Sequence, residues 1–326
     1  MIRNQWYIVL DSKELKKGKV LGVTRLGEKS VFWRDRTGKV GCAFDRCAHR
    51  GAALSAGKVV STNKIQCPFH GFEYDTEGKV TKIPAIGKDA PVPERFKVNS
   101  YPAKDAHGFI WIWWGEYREE YPSLPFFEDI DKKFRYDTII DHWETHYSRV
   151  IENQLDVLHL PFVHHNTIGR GCKTLVDGPR TVWENDELQI WASNRKDDGS
   201  KPKKENELPE PPRVANLHFR FPNIWMNYIS KKMRIIVAFV PVDQENTLFY
   251  ARFYHNIIKF PFNGWLFSKI GSIGNILVER QDRRVVNTQE PKRSRLKMDE
   301  NLVAGDRPVI EYRRKREELI KINNKE

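Results

Sequence analysis

The chain is poor in cysteine. Its four thiols, Cys42, Cys47, Cys67 and Cys172 among 326 residues, are too few for a disulfide framework in a protein of this size, which leaves ligation as their natural use. Long apolar runs are also missing. No stretch approaches the roughly 18 consecutive apolar residues that span a bilayer, and Met1 to Val20 lacks the charged-then-apolar order of a signal peptide, so a cytoplasmic protein is expected. There is no internal repeat. No flavin or nicotinamide fingerprint occurs either, so any redox chemistry must draw its electrons from another polypeptide. What the chain does have is 40% apolar and 12% aromatic residues, enough for a substantial core in one large or two ordinary domains. The net charge of +12 comes without a nucleic-acid-binding motif, and its one dense run, Arg313 to Arg316, lies in a mixed-charge tail beside Glu317 and Glu318. A docking face for an acidic electron-donor protein is a more natural use of that charge.

Trp6 to about Gly115 reads as short strands and turns: Val31 to Arg34, a turn over Asp35 to Gly38, then Val40 to Phe44, closed by the buried strand Phe109 to Trp114. A proline-bearing segment, Tyr121 to Pro125, precedes a longer region of mixed helix and strand. The expected organisation is α+β: a small all-β domain over 5–115 and a second domain over 116–326. In the second, Ser148 to Leu160 reads as a helix stopped by Pro161. Val214 to Phe221, Arg234 to Val240 and Thr247 to Tyr254 read as strands, Asn194 to Arg213 as an exposed loop, and Ile273 to Thr288 and Ile310 to Ile322 as helices.

Two short loops, Cys47-Ala48-His49 and Cys67-Pro68-Phe69-His70, each offer one thiolate and one imidazole. A common zinc finger instead pairs its cysteines in one knuckle and its histidines on a helix. The interleaving suits a [2Fe-2S] cluster in which one iron takes Cys47 and Cys67 and the other takes His49 and His70, and glycines at 51 and 71 allow tight turns after each pair. The pattern C-x-H then C-x-x-H, with its flanks His49-Arg50-Gly51 and His70-Gly71-Phe72-Glu73-Tyr74-Asp75, resembles the Rieske motif. Respiratory Rieske proteins usually carry a further, disulfide-forming cysteine in each loop, and none stands at 50–54 or 68–69, which favours the ferredoxin and oxygenase branch. Cys42 reads as a buried strand residue and Cys172 has no partner at ligand spacing.

The second informative stretch is Glu152 to His164. If it is helical, Asp156 and His159 share a face, and a turn at Pro161 can bring His164 back toward His159. Two imidazoles and one distant carboxylate would make the facial triad of a mononuclear Fe(II) oxygenase. Asn153, Asp156, His159 and His164 stand where the N-x-x-D-x-x-H-x4-H motif of Rieske non-haem iron oxygenases requires, so the chain resembles the oxygenase (alpha) component of that family. The size and the tail Tyr312-Arg313-Arg314 are similar to its single-subunit demethylases and monooxygenases.

That resemblance implies an all-β Rieske domain followed by a helix-grip catalytic domain, and O2 chemistry that hydroxylates or oxidatively demethylates a small organic ring compound. It implies an aspartate ligand on a downstream acidic helix, for which Asp282 is chosen, with Glu279 on nearly the same face as the alternative. His165 is expected to point elsewhere. The resemblance further implies a homotrimer in which Asp156 bridges His70 of one subunit and an iron-ligating histidine, His159, of the next, and a separate reductase or ferredoxin as donor. Asn153, Trp225, Asn227 and His255 are candidates for the substrate pocket. The competing readings are a non-catalytic Rieske electron carrier, which would leave Asp156, His159 and His164 unexplained, and a zinc-stabilised binding protein.

Overall fold

The computed structural model describes residues 1–87, 89–258 and 260–323. Two compact units emerge. Met1, Arg3–Ser123 and Val240–Asp243 form the first, and Ile2, Leu124–Phe239 and the chain from Gln244 onward form the second.

The first unit is built from strands, as its alternating turns and β-branched or aromatic runs require. They are β1 (Gln5–Asp11), β2 (Lys19–Arg25), β3 (Glu28–Arg34), β4 (Val40–Phe44), β5 (Lys58–Ser61), β6 (Lys64–Gln66), β7 (Glu73–Tyr74), β8 (Val80–Lys82), β9 (Ser100–Tyr101), β10 (Ala103–Ala106) and β11 (Phe109–Trp114). They make three sheets, ordered β1-β11-β10, β2-β3-β4-β9 and β5-β6-β7-β8. Every side chain of β11 is buried, which is why its sequence is a continuous apolar run instead of an alternating one. A separate buried cluster gathers Cys47, Cys67, Leu54, Phe72, Tyr74 and Val80 beneath the two Cys/His loops.

The second unit contains β12 (Arg135–Trp143), α1 (Tyr147–Leu155), α2 (Leu160–Val163), β13 (Leu175–Glu184), β14 (Glu187–Arg195), β15 (Leu217–Arg220), β16 (Ile224–Ser230), β17 (Met233–Pro241), β18 (Thr247–His255), α3 (Pro261–Val286) and α4 (Arg307–Asn323). A seven-stranded sheet, ordered β12-β18-β17-β16-β15-β14-β13, carries α3 across β12 and β18. The fit is close: a Cβ on Gly271 would stand 2.5 Å from the Phe253 ring. The α+β class holds, an all-β unit followed by an antiparallel sheet with helices. Among the described residues no helix is long and apolar enough to cross a membrane.

Three local expectations change. The helix expected over Ser148 to Leu160 is two helices, because Asp156 leaves the helical conformation and its Oδ1 accepts the Leu158 N–H at 2.6 Å. Such side-chain turns compete with the helix. Pro161 does not stop a helix; it sits in the first turn of α2, where its missing N–H is harmless. The third change is in the mixed-charge tail: in α4, Arg313 and Arg316 are each 4% exposed. Of the loop expected over 194–213, Asn194 and Arg195 belong to β14, and Asp177 ties down the base of the remainder through Arg195 Nε and the Lys203 N–H, both at 2.8 Å.

Candidate metal centres

The two Cys/His loops share one backbone design. In the first, the Cys47 N–H donates to Ala52 O and the Gly51 N–H donates back to Cys47 O; in the second, Cys67 N–H donates to Phe72 O and Gly71 N–H to Cys67 O. Gly51 and Gly71 have φ of 74° and 73°, a left-handed turn that a side chain at either position would strain. The thiols are buried and the imidazoles exposed. His49 and His70 bring their Nδ1 atoms to 3.2 Å, and the His49 ring stacks on Phe72 at 4.8 Å. Burial pushes the Cys67 thiol up, and the adjoining Cys47 adds to that. Two adjoining buried thiols resist joint ionisation unless a cation joins them, so this donor set fits a two-iron cluster with sulfur at one iron and nitrogen at the other.

Tyr74, quoted at first only as a flank of the motif, has a specific place here. Its hydroxyl accepts the Ala48 N–H at 2.9 Å, which leaves its own proton for Cys47 Sγ at 3.0 Å. Burial and that sulfur raise the Tyr74 hydroxyl above its ordinary value, so it stays a donor.

In the second unit, α2 and α3 bring His159, His164 and Asp282 together, with one ligand atom from each inside 4.8 Å of the others. Asp282 Oδ1 lies 3.0 Å from His164 Nε2 and 3.5 Å from His159 Nε2. Despite that proximity it makes no aligned hydrogen bond, although Asp282 is 2% exposed. Lone pairs crowded on one buried point without hydrogen bonds are what a metal site requires, and two imidazoles with one carboxylate is the donor set of non-haem iron. Asp282, and not Glu279, belongs to this group.

The far ring nitrogen of His164 is also held. His164 Nδ1 donates to Gln281 Oε1 at 2.9 Å, which fixes its tautomer and leaves Nε2 free to ligate, while Thr167 Oγ1 and Asn166 Oδ1 anchor the same Gln281. Burial pushes His164 down, but Asp282 and Gln281 outweigh it and hold the imidazole above its ordinary value. Asp156 Oδ2 stands 3.5 Å from His159 Nδ1. Gln281 carries no motif signal; only its position beside Asp282 could have suggested it.

Behind α1 lies a buried ion network. Arg313 grips Glu152 bidentately, with both contacts at 2.8 Å, and Arg149 reaches the same carboxylate at 3.2 Å. Glu300 accepts from Arg149 at 2.8 Å and from Arg313 at 2.6 Å. This locks α4 onto the helix that ends at Asp156.

A cavity of about 440 Å³ opens beside the His159, His164 and Asp282 group, and Trp225 and Asn227 line it. His255 does not; it is fully buried, with Nε2 3.0 Å from both Gly264 O and Ser268 Oγ. Asn153 faces a different cavity of about 260 Å³ beside Asp156 and Arg313. Glu279 lines the larger cavity, where burial first and then Asp282 and Asp141 push its carboxyl well above the usual range. His165 points away, with Nδ1 on Phe162 O.

Comparison with known proteins agrees with this arrangement. Residues 5–102 match the Rieske [2Fe-2S] domain, and residues 143–322, more than half of the chain, match the vanillate O-demethylase oxygenase C-terminal domain. The chain belongs to the Rieske non-haem iron oxygenases, as an oxygenase component with a [2Fe-2S] domain and a non-haem iron domain. Over 176 residues it is 36% identical to the chloroplastic chlorophyllide a oxygenase of Chlamydomonas reinhardtii, covering 52% of this chain and 26% of that protein. The chain spans only about a quarter to a third of the curated relatives it first matches. Two solved structures share the fold nearly end to end. NdmA of Pseudomonas putida CBB5 has a TM-score of 0.78 at 24% identity over 99% of this chain and 92% of that one. Dicamba monooxygenase bound to dicamba has a TM-score of 0.75 at 20% identity over 100% and 99%.

Proposed function

We propose that this chain is the terminal oxygenase of a multicomponent system that hydroxylates or oxidatively demethylates a small, ring-containing organic substrate. Residues 5–115 would hold the cluster through Cys47, His49, Cys67 and His70, and residues 116–326 the mononuclear iron through His159, His164 and Asp282. The observation that carries the reading is the convergence of those last three side chains on one buried point beside a cavity. When bound, the cluster relays single electrons and the iron offers open positions for O2.

The chain's own residues supply orientation and shelter. Gln281 holds the His164 ring, Asp156 faces the His159 ring, and Val157, Leu160 and Val278 give the cavity part of its apolar wall. The electrons come from a separate reductase or ferredoxin, for which a net charge of +12 offers an acidic donor favourable steering. A homotrimer is part of the reading: the Asp156 side chain is 28% exposed and the His70 ring is exposed, so each is free to meet its counterpart on a neighbouring subunit. The setting proposed is the cytoplasm.

Metal analysis after anaerobic iron reconstitution tests this. About three irons and two acid-labile sulfides per chain are expected, falling to about two irons, with the Rieske spectrum kept, in His159→Ala. Two irons in the unaltered protein would leave only an electron carrier, and zinc without visible absorbance would leave a binding protein.

A further inference from the structure

Among the described residues, no Lys or Arg side chain lines the cavity beside His159, His164 and Asp282, in a chain where 55 of 326 residues are one or the other. The cavity's carboxyl groups are those of Asp156, Glu279 and Asp282. A bound Fe(II) adds charge at the histidine end only, where Asp156 and Asp282 offset it. A substrate carboxylate entering such a space would be stripped of water with no cation to receive it, a cost of several kcal/mol or more.

Apart from the histidines and carboxyl groups, the walls hold two hydrogen-bond donors with nothing to bond. Trp225 Nε1, on β16, and Asn275 Nδ2, on α3, are buried and unpartnered, and both residues line this cavity. Trp225 is 5% exposed. Buried donors in native proteins are nearly always satisfied, so two of them, one from the sheet and one from the helix, call for acceptors brought by whatever fills the space. Their positive ends also disfavour a cation. The rest of the lining combines apolar side chains, among them Val157, Leu217 and Val278, with the amides of Gln154, Asn194, Asn216 and Asn227, and the volume falls within the ~300–1,000 Å³ of small-ligand pockets.

On the oxygenase reading above, we propose that the substrate is an uncharged, mainly apolar ring compound bearing two hydrogen-bond acceptors, such as a lactam, an imide or a neutral carboxamide. Trp225 Nε1 and Asn275 Nδ2 seat it, and ring carboxylates are rejected. Trp225 and Asn275 thus set specificity through polar contacts, while the apolar wall supplies most of the affinity.

The test is ligand-observed NMR on the iron- and cluster-loaded protein. The probes are ring-matched pairs, such as 4-methoxybenzamide against 4-methoxybenzoate and N-methyl-2-quinolone against 2-naphthoate. Hits are expected among the neutral members, and Trp225→Phe and Asn275→Leu should each weaken the best of them about tenfold while iron content stays unchanged. Carboxylates among the hits in equal number, an absence of neutral hits, or unchanged affinity in both variants would overturn the proposal. Iron and sulfide measured on the same sample keep the failures apart. Missing iron sinks the oxygenase reading, whereas full iron with carboxylate binding sinks only the substrate class.

Discussion

His49 meets His70 across 21 residues of sequence, whereas His164 meets Gln281 across 117. The cluster loops are made locally, by two glycine turns of the same design and a few backbone hydrogen bonds. The iron site is made at long range, from α2 and α3, and steadied by an ion network that reaches α4. Damage to distant packing should therefore strike the second site and spare the first, while the first should respond only to its immediate neighbours.

The sharpest way to break that contrast is Glu152→Ala. It leaves Arg149 and Arg313 with Glu300 as the one carboxylate of the two they share, which should destabilise the second unit by about 3 kcal/mol. Calorimetry should show one transition moving to lower temperature, and metal analysis should show iron lost with sulfide retained. Simultaneous loss of the cluster would mean that the two sites do not stand independently. Asp156→Asn comes next: turnover with a reductase should fall roughly a hundredfold, with iron and sulfide both kept. Disappearance of the cluster in that variant would contradict the bridging role.

Gln281→Leu should weaken iron binding about 10- to 100-fold in a titration of the iron-free protein, without altering the cluster spectrum. The smallest effect expected is on the local side. Tyr74→Phe removes a hydrogen bond to Cys47 Sγ that favours the reduced cluster, and should lower the reduction potential by roughly 40 mV, about 1 kcal/mol on one electron. An unchanged potential would show that the hydroxyl does not act on the sulfur.

The same contrast explains what was legible beforehand. Strand β11 and the Cys/His loops could be read directly because each is specified by adjacent residues: a run of six buried side chains, and ligands followed by glycines. The pairing of His159 with His164 followed a motif and the choice of Asp282 a family resemblance, but the local geometry followed neither. A helix through Asp156 satisfies periodicity and propensity, and what ends it is a side-chain turn onto Leu158 N–H that spacing does not encode. Arg313 and Arg316 stand in sequence as part of a mixed-charge tail, and only their partners in the fold, Glu152 and Ser294 O, reveal them as interior residues. His255 looked like a pocket residue on the strength of its type, but β18 turns it under α3 instead.

The clamp between Glu152 and Arg313 joins residues 161 positions apart. At the ribosome's pace of roughly 5–20 residues per second, α1 is made some ten to thirty seconds before the arginine that completes its burial. Until then Glu152 has no reason to leave water, and the helix that ends at Asp156 cannot settle in its final place. The Cys/His loops wait for no such late partner, since all four of their ligands lie within residues 47–70. The nascent chain is thus expected to be ready for its cluster well before it is ready for its single iron, an order set by where Arg313 lies along the polypeptide.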